Sequence, residues 1–67
     1  MRWKIAAFYG IDDPDNGKRR GDCAIQTVHD CESAVETELT AFRARADIGW
    51  VVIVDMETNE TRREDMR

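Results

Sequence analysis

The sequence is poor in the residues that mark specialised protein classes. Its 67 residues include two cysteines, one histidine, one proline and four glycines. Two cysteines are too few for a disulfide framework, and no apolar run is long enough to span a bilayer. The apolar residues that follow Lys4 stop at Gly10, which is too early for a secretory signal. These absences predict a cytoplasmic protein with reduced thiols and no membrane segment.

The charged residues are numerous and of both signs. Fourteen acidic and ten basic side chains leave a net charge of −4, which does not suit a general binder of phosphate backbones. Hydrophobic residues make up 42% of the chain and charged residues 36%, a mixture typical of a folded domain. We expect one small domain over residues 1–67, close to the size at which association with another chain adds needed stability.

Residues 50–56 form the most apolar stretch of the chain, and their β-branched side chains predict a strand. Both faces of this strand are apolar, whereas a small sheet covered on one side normally alternates apolar and polar residues. Residues 2–9 predict another such strand, in which the second face is polar only at Lys4. The sequence therefore predicts a sheet with an apolar surface on each side.

The remaining segments predict an α+β fold. Residues 22–28 have the ambiguous alternation of a weaker strand, and residues 61–64 suit a charged edge strand. Residues 31–46 predict a helix, which Asp30 caps or which starts at Ser33. With the first strand in a central position, we expect the β-β-α-β-β chain to form an antiparallel sheet of order 2-1-3-4, with the helix on one face.

The predicted helix has one apolar stripe, which should pack against the sheet. Its members are Val35, Leu39, Phe42 and Ala46. A single helix covers one face only, and we expect it to cover the bulkier set of side chains. That set comprises Trp3, Ile5, Ala7, Tyr9, Val52 and Val54.

The opposite face is the predicted partner-binding surface. It would expose Phe8, Val51 and Ile53 beside Ala6, with Asp55 at its margin. Contiguous exposed apolar side chains mark interaction sites on small proteins. The partner would be another protein or a second copy of this chain.

Residues 10–21 form a predicted loop, in which Pro14 and Gly17 favour tight turns. Three basic residues follow directly, Lys18, Arg19 and Arg20. Such a loop is either a solvated connection or a contact segment for a partner. An EF-hand calcium site starting at Asp13 does not fit the spacing, because Gly17 stands at the fifth position and Ala24 at the twelfth.

Cys23, His29 and Cys31 are the remaining candidates for chemistry. Their spacing does not match a usual structural zinc site, which needs four ligands. A nucleophilic pair of Cys31 and His29 would lack an orienting third group. We therefore expect inert thiols, buried or half-buried, and no cofactor and no catalytic residue.

These patterns predict a small non-enzymatic protein that works by binding another protein. Compact inhibitors and adaptors, including those encoded by phages, have this size and character. Two alternatives stay open: a nucleic-acid-associated regulator that uses the Lys18–Arg20 loop, and a metal protein built on the two cysteines and the histidine.

Overall fold

The computed structural model describes residues 1–66, which form four antiparallel strands and one α-helix. The elements are β1 (Trp3–Tyr9), β2 (Cys23–His29), α1 (Glu32–Arg43), β3 (Ile48–Asp55) and β4 (Glu60–Asp65). The strands lie in the order β2-β1-β3-β4. The predicted α+β class and strand order are confirmed. The loop between β1 and β2 contains a short 3₁₀ turn over Pro14–Asn16.

The helix is shorter than the predicted range of residues 31–46. Cys31, and not Asp30, is the N-cap residue, and its side chain makes no capping hydrogen bond. The helix ends at Arg43, because the N–H of Arg45 donates to the carbonyl of Phe42 and tightens the last turn. Ala46 therefore lies outside the helix and is exposed, so its predicted place in the apolar stripe is wrong.

The core lies between α1 and one face of the sheet. Its buried side chains are Ile5, Ala7, Val35, Leu39, Phe42, Ile48, Val51 and Ile53. Across the two central strands, Ile5 pairs with Ile53 and Ala7 pairs with Val51. The predicted stripe of Val35, Leu39 and Phe42 supplies the helical half of this core.

The predicted assignment of β3 to the two faces is wrong. Val51 and Ile53 were expected on the exposed face, but their exposed fractions are 0% and 2%. Val52 and Val54, expected under the helix, lie on the opposite face and are half-buried. Both sides of β3 are apolar, so periodicity alone does not choose the face. The cross-strand register with β1 decides it.

Polar contacts hold the helix to both edges of the sheet. Toward β2, the Glu38 carboxylate accepts a hydrogen bond from Thr27 at 2.6 Å and pairs with His29 Nε2 at 2.5 Å. Toward β4, the Arg43 guanidinium donates two hydrogen bonds to Glu64, at 3.2 and 2.7 Å. These side-chain contacts therefore tie the helix to both edges of the sheet. No helix among residues 1–66 is long and apolar enough to cross a membrane.

Candidate functional site: the open face of the sheet

The face of the sheet opposite α1 is the candidate site, and we call it the open face. It consists of three rows of side chains that run across the four strands. From β2 to β4, the rows are Val28-Lys4-Val54-Thr61, Gln26-Ala6-Val52-Arg63 and Cys23-Phe8-Trp50-Asp65. None of these residues is buried, although the two central strands contribute mainly apolar side chains.

An aromatic pair dominates one end of the open face. The rings of Phe8 and Trp50 stack at a centroid distance of 5.5 Å, with an angle of 13° between their planes. The Arg63 guanidinium lies 5.0 Å from the centroid of a Trp50 ring, a cation–π contact. Arg63 Nε also donates a hydrogen bond to Asp65 at 3.0 Å, which orients the guanidinium at the β4 margin of the face.

The centre of the open face is a shallow apolar depression. Its volume is about 380 Å³, and Ala6, Phe8, Val52 and Val54 supply its apolar lining. Lys4, Cys23 and Gln26 line the remainder, and Val28 continues the apolar surface toward the β2 edge with an exposed fraction of 45%. An apolar centre with polar groups at the rim is the usual anatomy of a protein–protein interface.

The structure separates the residues that the sequence grouped as a binding surface. Phe8 lies on the open face, whereas Val51 and Ile53 belong to the core. Asp55 was expected at the margin of the open face, but it lies on the helix-covered side and is 7% exposed. Its carboxylate accepts hydrogen bonds from Arg2 Nε and Nη2, at 3.1 and 3.0 Å. These hydrogen bonds from Arg2 lower the pKa of Asp55, so this carboxylate anchors the start of β1.

The basic loop residues also have separate environments. Lys18 Nζ donates to the Asp47 carboxylate at 3.1 Å and lies 6.0 Å from the centroid of the Tyr9 ring. Tyr9 pairs with the buried Ile48, so Lys18 is held toward the helix-covered layer and away from the Phe8 surface. Arg19 and Arg20 are exposed.

The two cysteines were expected to be buried or half-buried, but both thiols are exposed. Cys23 lies at a corner of the open face, beside Phe8. Cys31 Sγ lies 3.4 Å from Ser33 Oγ, and the hydrogen bond between them lowers the pKa of this thiol. Cys23 and His29 occupy opposite ends of β2. Among residues 1–66, no three His, Cys, Asp or Glu side chains are grouped so that they could hold a metal ion.

Sequence reasoning missed three members of the open face, Trp50, Val52 and Val54. Matching large aliphatic side chains across neighbouring strands could have identified these three residues. Placing Ile5 opposite Ile53 puts the largest aliphatic side chains together under the helix, and this register places Trp50 beside Phe8.

Comparison with protein-family models, with characterised proteins and with solved structures finds no match to this chain. The geometry of the open face is therefore the basis on which a function can be inferred.

Proposed function

We propose that this protein is a non-enzymatic binding domain that docks the open face of its sheet onto an apolar surface of a partner protein. The observation that supports the proposal is the contiguous apolar surface of Ala6, Phe8, Trp50, Val52 and Val54 on the face that α1 does not cover. Small soluble domains seldom expose such a surface without an interaction to cover it.

The size of the open face suits a specific interaction. Burial of roughly 400–600 Å² of apolar surface, counted over both partners, at ~25 cal/mol/Å² contributes ~10–15 kcal/mol before the costs of association. Even a small surplus over those costs gives micromolar affinity. The Phe8–Trp50 stack is a rigid aromatic anchor, the kind of group that dominates interface energies. Inhibitors and adaptors of this size work by presenting one such surface.

A photo-crosslinking amino acid placed on the open face tests the proposal in the native host. With the crosslinker at Val52, we expect capture of a discrete partner protein. At the exposed Thr37 on the outer side of α1, the same crosslinker should not capture that partner. Purified partner should then bind the wild type, and Phe8→Asp should weaken binding about tenfold or more, because one desolvated anchor contributes at least ~1.4 kcal/mol.

Thr37→Asp is the matched control, since it adds the same charge on the opposite side of the molecule and should leave the Kd unchanged. Capture of the partner from Thr37, or equal affinity of the wild type and a folded Phe8→Asp variant, would contradict the proposal.

The two exposed cysteines offer a second readout within the unmodified chain. Cys23 lies at the corner of the open face, and Cys31 caps α1. Bound partner should slow alkylation of Cys23 by a bulky maleimide and leave the rate at Cys31 as it is in the free protein. Each thiol is compared with itself, so the lowered pKa of Cys31 does not affect the comparison.

One observation favours a nucleic-acid partner as a second candidate. Stacked aromatic rings with a guanidinium on an open sheet are also the components of a surface that stacks single-stranded bases. Arg19 and Arg20 would add phosphate contacts, whereas Lys18 already pairs with Asp47. Binding to a single-stranded oligonucleotide that weakens steeply with salt would favour this candidate over the apolar docking surface.

A further inference from the structure

The two edges of the sheet differ in their charge. β4 carries five charged residues, namely Glu60, Arg62, Arg63, Glu64 and Asp65. β2 has seven residues, and none of them is Asp, Glu, Lys or Arg. Charged side chains on an edge strand prevent pairing with another chain, and an uncharged edge leaves it open to such pairing. Among the elements that the structure describes, β4 is therefore the protected edge and β2 the unprotected one.

The backbone of β2 suits strand addition. Its register with β1 shifts between the pairs Ala7–Ile25 and Phe8–Cys23, so Ala24 is the extra residue of a bulge. The stretch from Ile25 to His29 is regular. In a regular antiparallel edge, every second residue directs its N–H and C=O away from the sheet. Thr27 and Val28 are β-branched and favour the extended conformation.

We propose that a second copy of this chain pairs antiparallel with β2 across a two-fold axis, giving a continuous eight-stranded sheet. Centring the regular stretch on Thr27 places Gln26 opposite Val28 of the partner copy and Ile25 opposite His29, so no carboxylate, lysine or arginine on β2 meets a like charge. Centring β4 on Arg62 would instead place Arg62 opposite its own copy and Glu60 opposite Glu64, and centring it on Arg63 would place Arg63 opposite its own copy. Like charges directly opposite each other repel. Of the two edges, β2 is thus the one compatible with a closed symmetric dimer.

The two-fold axis stands perpendicular to the sheet in this arrangement. Both open faces then lie on one side of the dimer and both helices on the other. Val28, exposed at the margin of the monomer, comes to lie in the middle of the enlarged face. The inference does not rest on the proposed function, because pairing at β2 leaves the open face free to dock on another protein.

Charge substitutions on β2 test the pairing by sedimentation equilibrium. The double variant Gln26→Glu/Val28→Glu changes two exposed side chains and sets like charges opposite each other across the axis. We expect its self-association to be weaker than that of the wild type by about tenfold or more. The control Thr37→Glu/Thr40→Glu adds the same charge at exposed positions on α1, away from β2 and from the open face, and should associate like the wild type.

A charge-reversed partner distinguishes β2 pairing from other dimers. Gln26→Lys/Val28→Lys alone should also self-associate more weakly than the wild type. Mixing it with the Glu variant should restore the dimer, because opposite charges then face each other. Amide hydrogen exchange of the wild type should show slower exchange in β2 at high concentration and unchanged exchange in β4.

Several results would overturn the inference. A wild type that stays monomeric at high concentration would do so, and so would a dimer whose affinity the Glu variant leaves unchanged. A third such result is slower amide exchange in β2 that appears only when a different protein is added and does not change with the concentration of this chain. That result would assign the edge to an extended peptide of another partner.

Discussion

Gly10 and Gly49 lie directly against each other where β1 ends and β3 begins. A Cβ atom on Gly10 would lie 2.5 Å from the Cα of Gly49, and a Cβ on Gly49 would lie 2.6 Å from the Cα of Gly10. The Gly10 N–H donates to the Asp47 carbonyl at 2.9 Å, which fixes this approach. Both positions require glycine because of close backbone contact.

Gly10→Ala should therefore destabilise the domain strongly. The added methyl group meets backbone, which cannot move aside as a flexible side chain can, and we expect a loss of about 3 kcal/mol or more in urea unfolding. Gly17→Ala is the control, because a Cβ there meets no atom within 4 Å and only the positive φ of +71° opposes it. The control should cost about 1–2 kcal/mol. Equal losses in the two variants would show that the glycine contact can relax.

At the scale of single residues, the sequence supported some assignments and not others. Leu39 and Phe42 were correctly predicted as core, because helical spacing identifies one face directly. The contact between Gly10 and Gly49 joins residues far apart in sequence. No local sequence pattern at either glycine indicates that the other lies against it. Arg45 and Asp47 were equally hidden, since a pair of charges two residues apart is common on any surface.

Among the structural elements, the loop between β1 and β2 is attached through Asp47 to the segment that joins α1 to β3. Arg45 donates two hydrogen bonds to this carboxylate, at 3.0 and 2.7 Å, and Lys18 donates a third from the loop. The two hydrogen bonds from Arg45, together with the one from Lys18, hold the pKa of Asp47 well below its usual range. One carboxylate thus ties together the loop, the end of α1 and the start of β3.

This geometry predicts that the stability of the fold depends on pH. A carboxylate whose pKa is lower in the folded state stabilises the fold above its unfolded pKa, and this contribution is lost as the pH falls toward the folded value. The melting temperature of the wild type should therefore fall between about pH 5 and pH 2, with Asp47 and Asp55 both contributing. Asp47→Asn should melt lower at neutral pH and lose less on acidification. The exposed control Asp15→Asn should keep the acid sensitivity of the wild type; an unchanged acid response of Asp47→Asn would contradict the assignment.

The elements and their order followed from the sequence, but the register of β3 did not. Turn residues and β-branched runs located the strands, and the charged C-terminal segment identified an edge. The register between β1 and β3 shifts beside Phe8 and Tyr9, opposite Gly49. An alternation pattern extended from Trp50 gives no sign of such a shift, because both faces of β3 are apolar.

For the molecule as a whole, the sheet has two apolar faces, and only one of them belongs to the core. Among residues 1–66, the core contains eight buried apolar residues, a small number that leaves little free energy of unfolding to spare. The second apolar face consists of half-buried side chains that α1 does not cover. Apolar residues on both sides of the segments 2–9 and 50–56 predicted a two-sided sheet, and the cross-strand pairing of Ile5 with Ile53 determines which side chains stabilise the monomer.

Substitutions at two adjacent residues of β3, Val52 and Ile53, test which face of the sheet belongs to the core. Ile53→Asp places a carboxylate among buried apolar side chains, without a partner to compensate its desolvation, and should unfold a domain whose total stability is about 3–10 kcal/mol. Val52→Asp puts the same carboxylate on the half-buried open face, where water reaches it, and should cost about 1 kcal/mol while the far-ultraviolet circular dichroism stays native. Because the two variants share the charge, the strand and nearly the same position, the difference between them measures the face alone. A folded Ile53→Asp together with an unfolded Val52→Asp would reverse the assignment of the faces and would remove the open face as a docking surface.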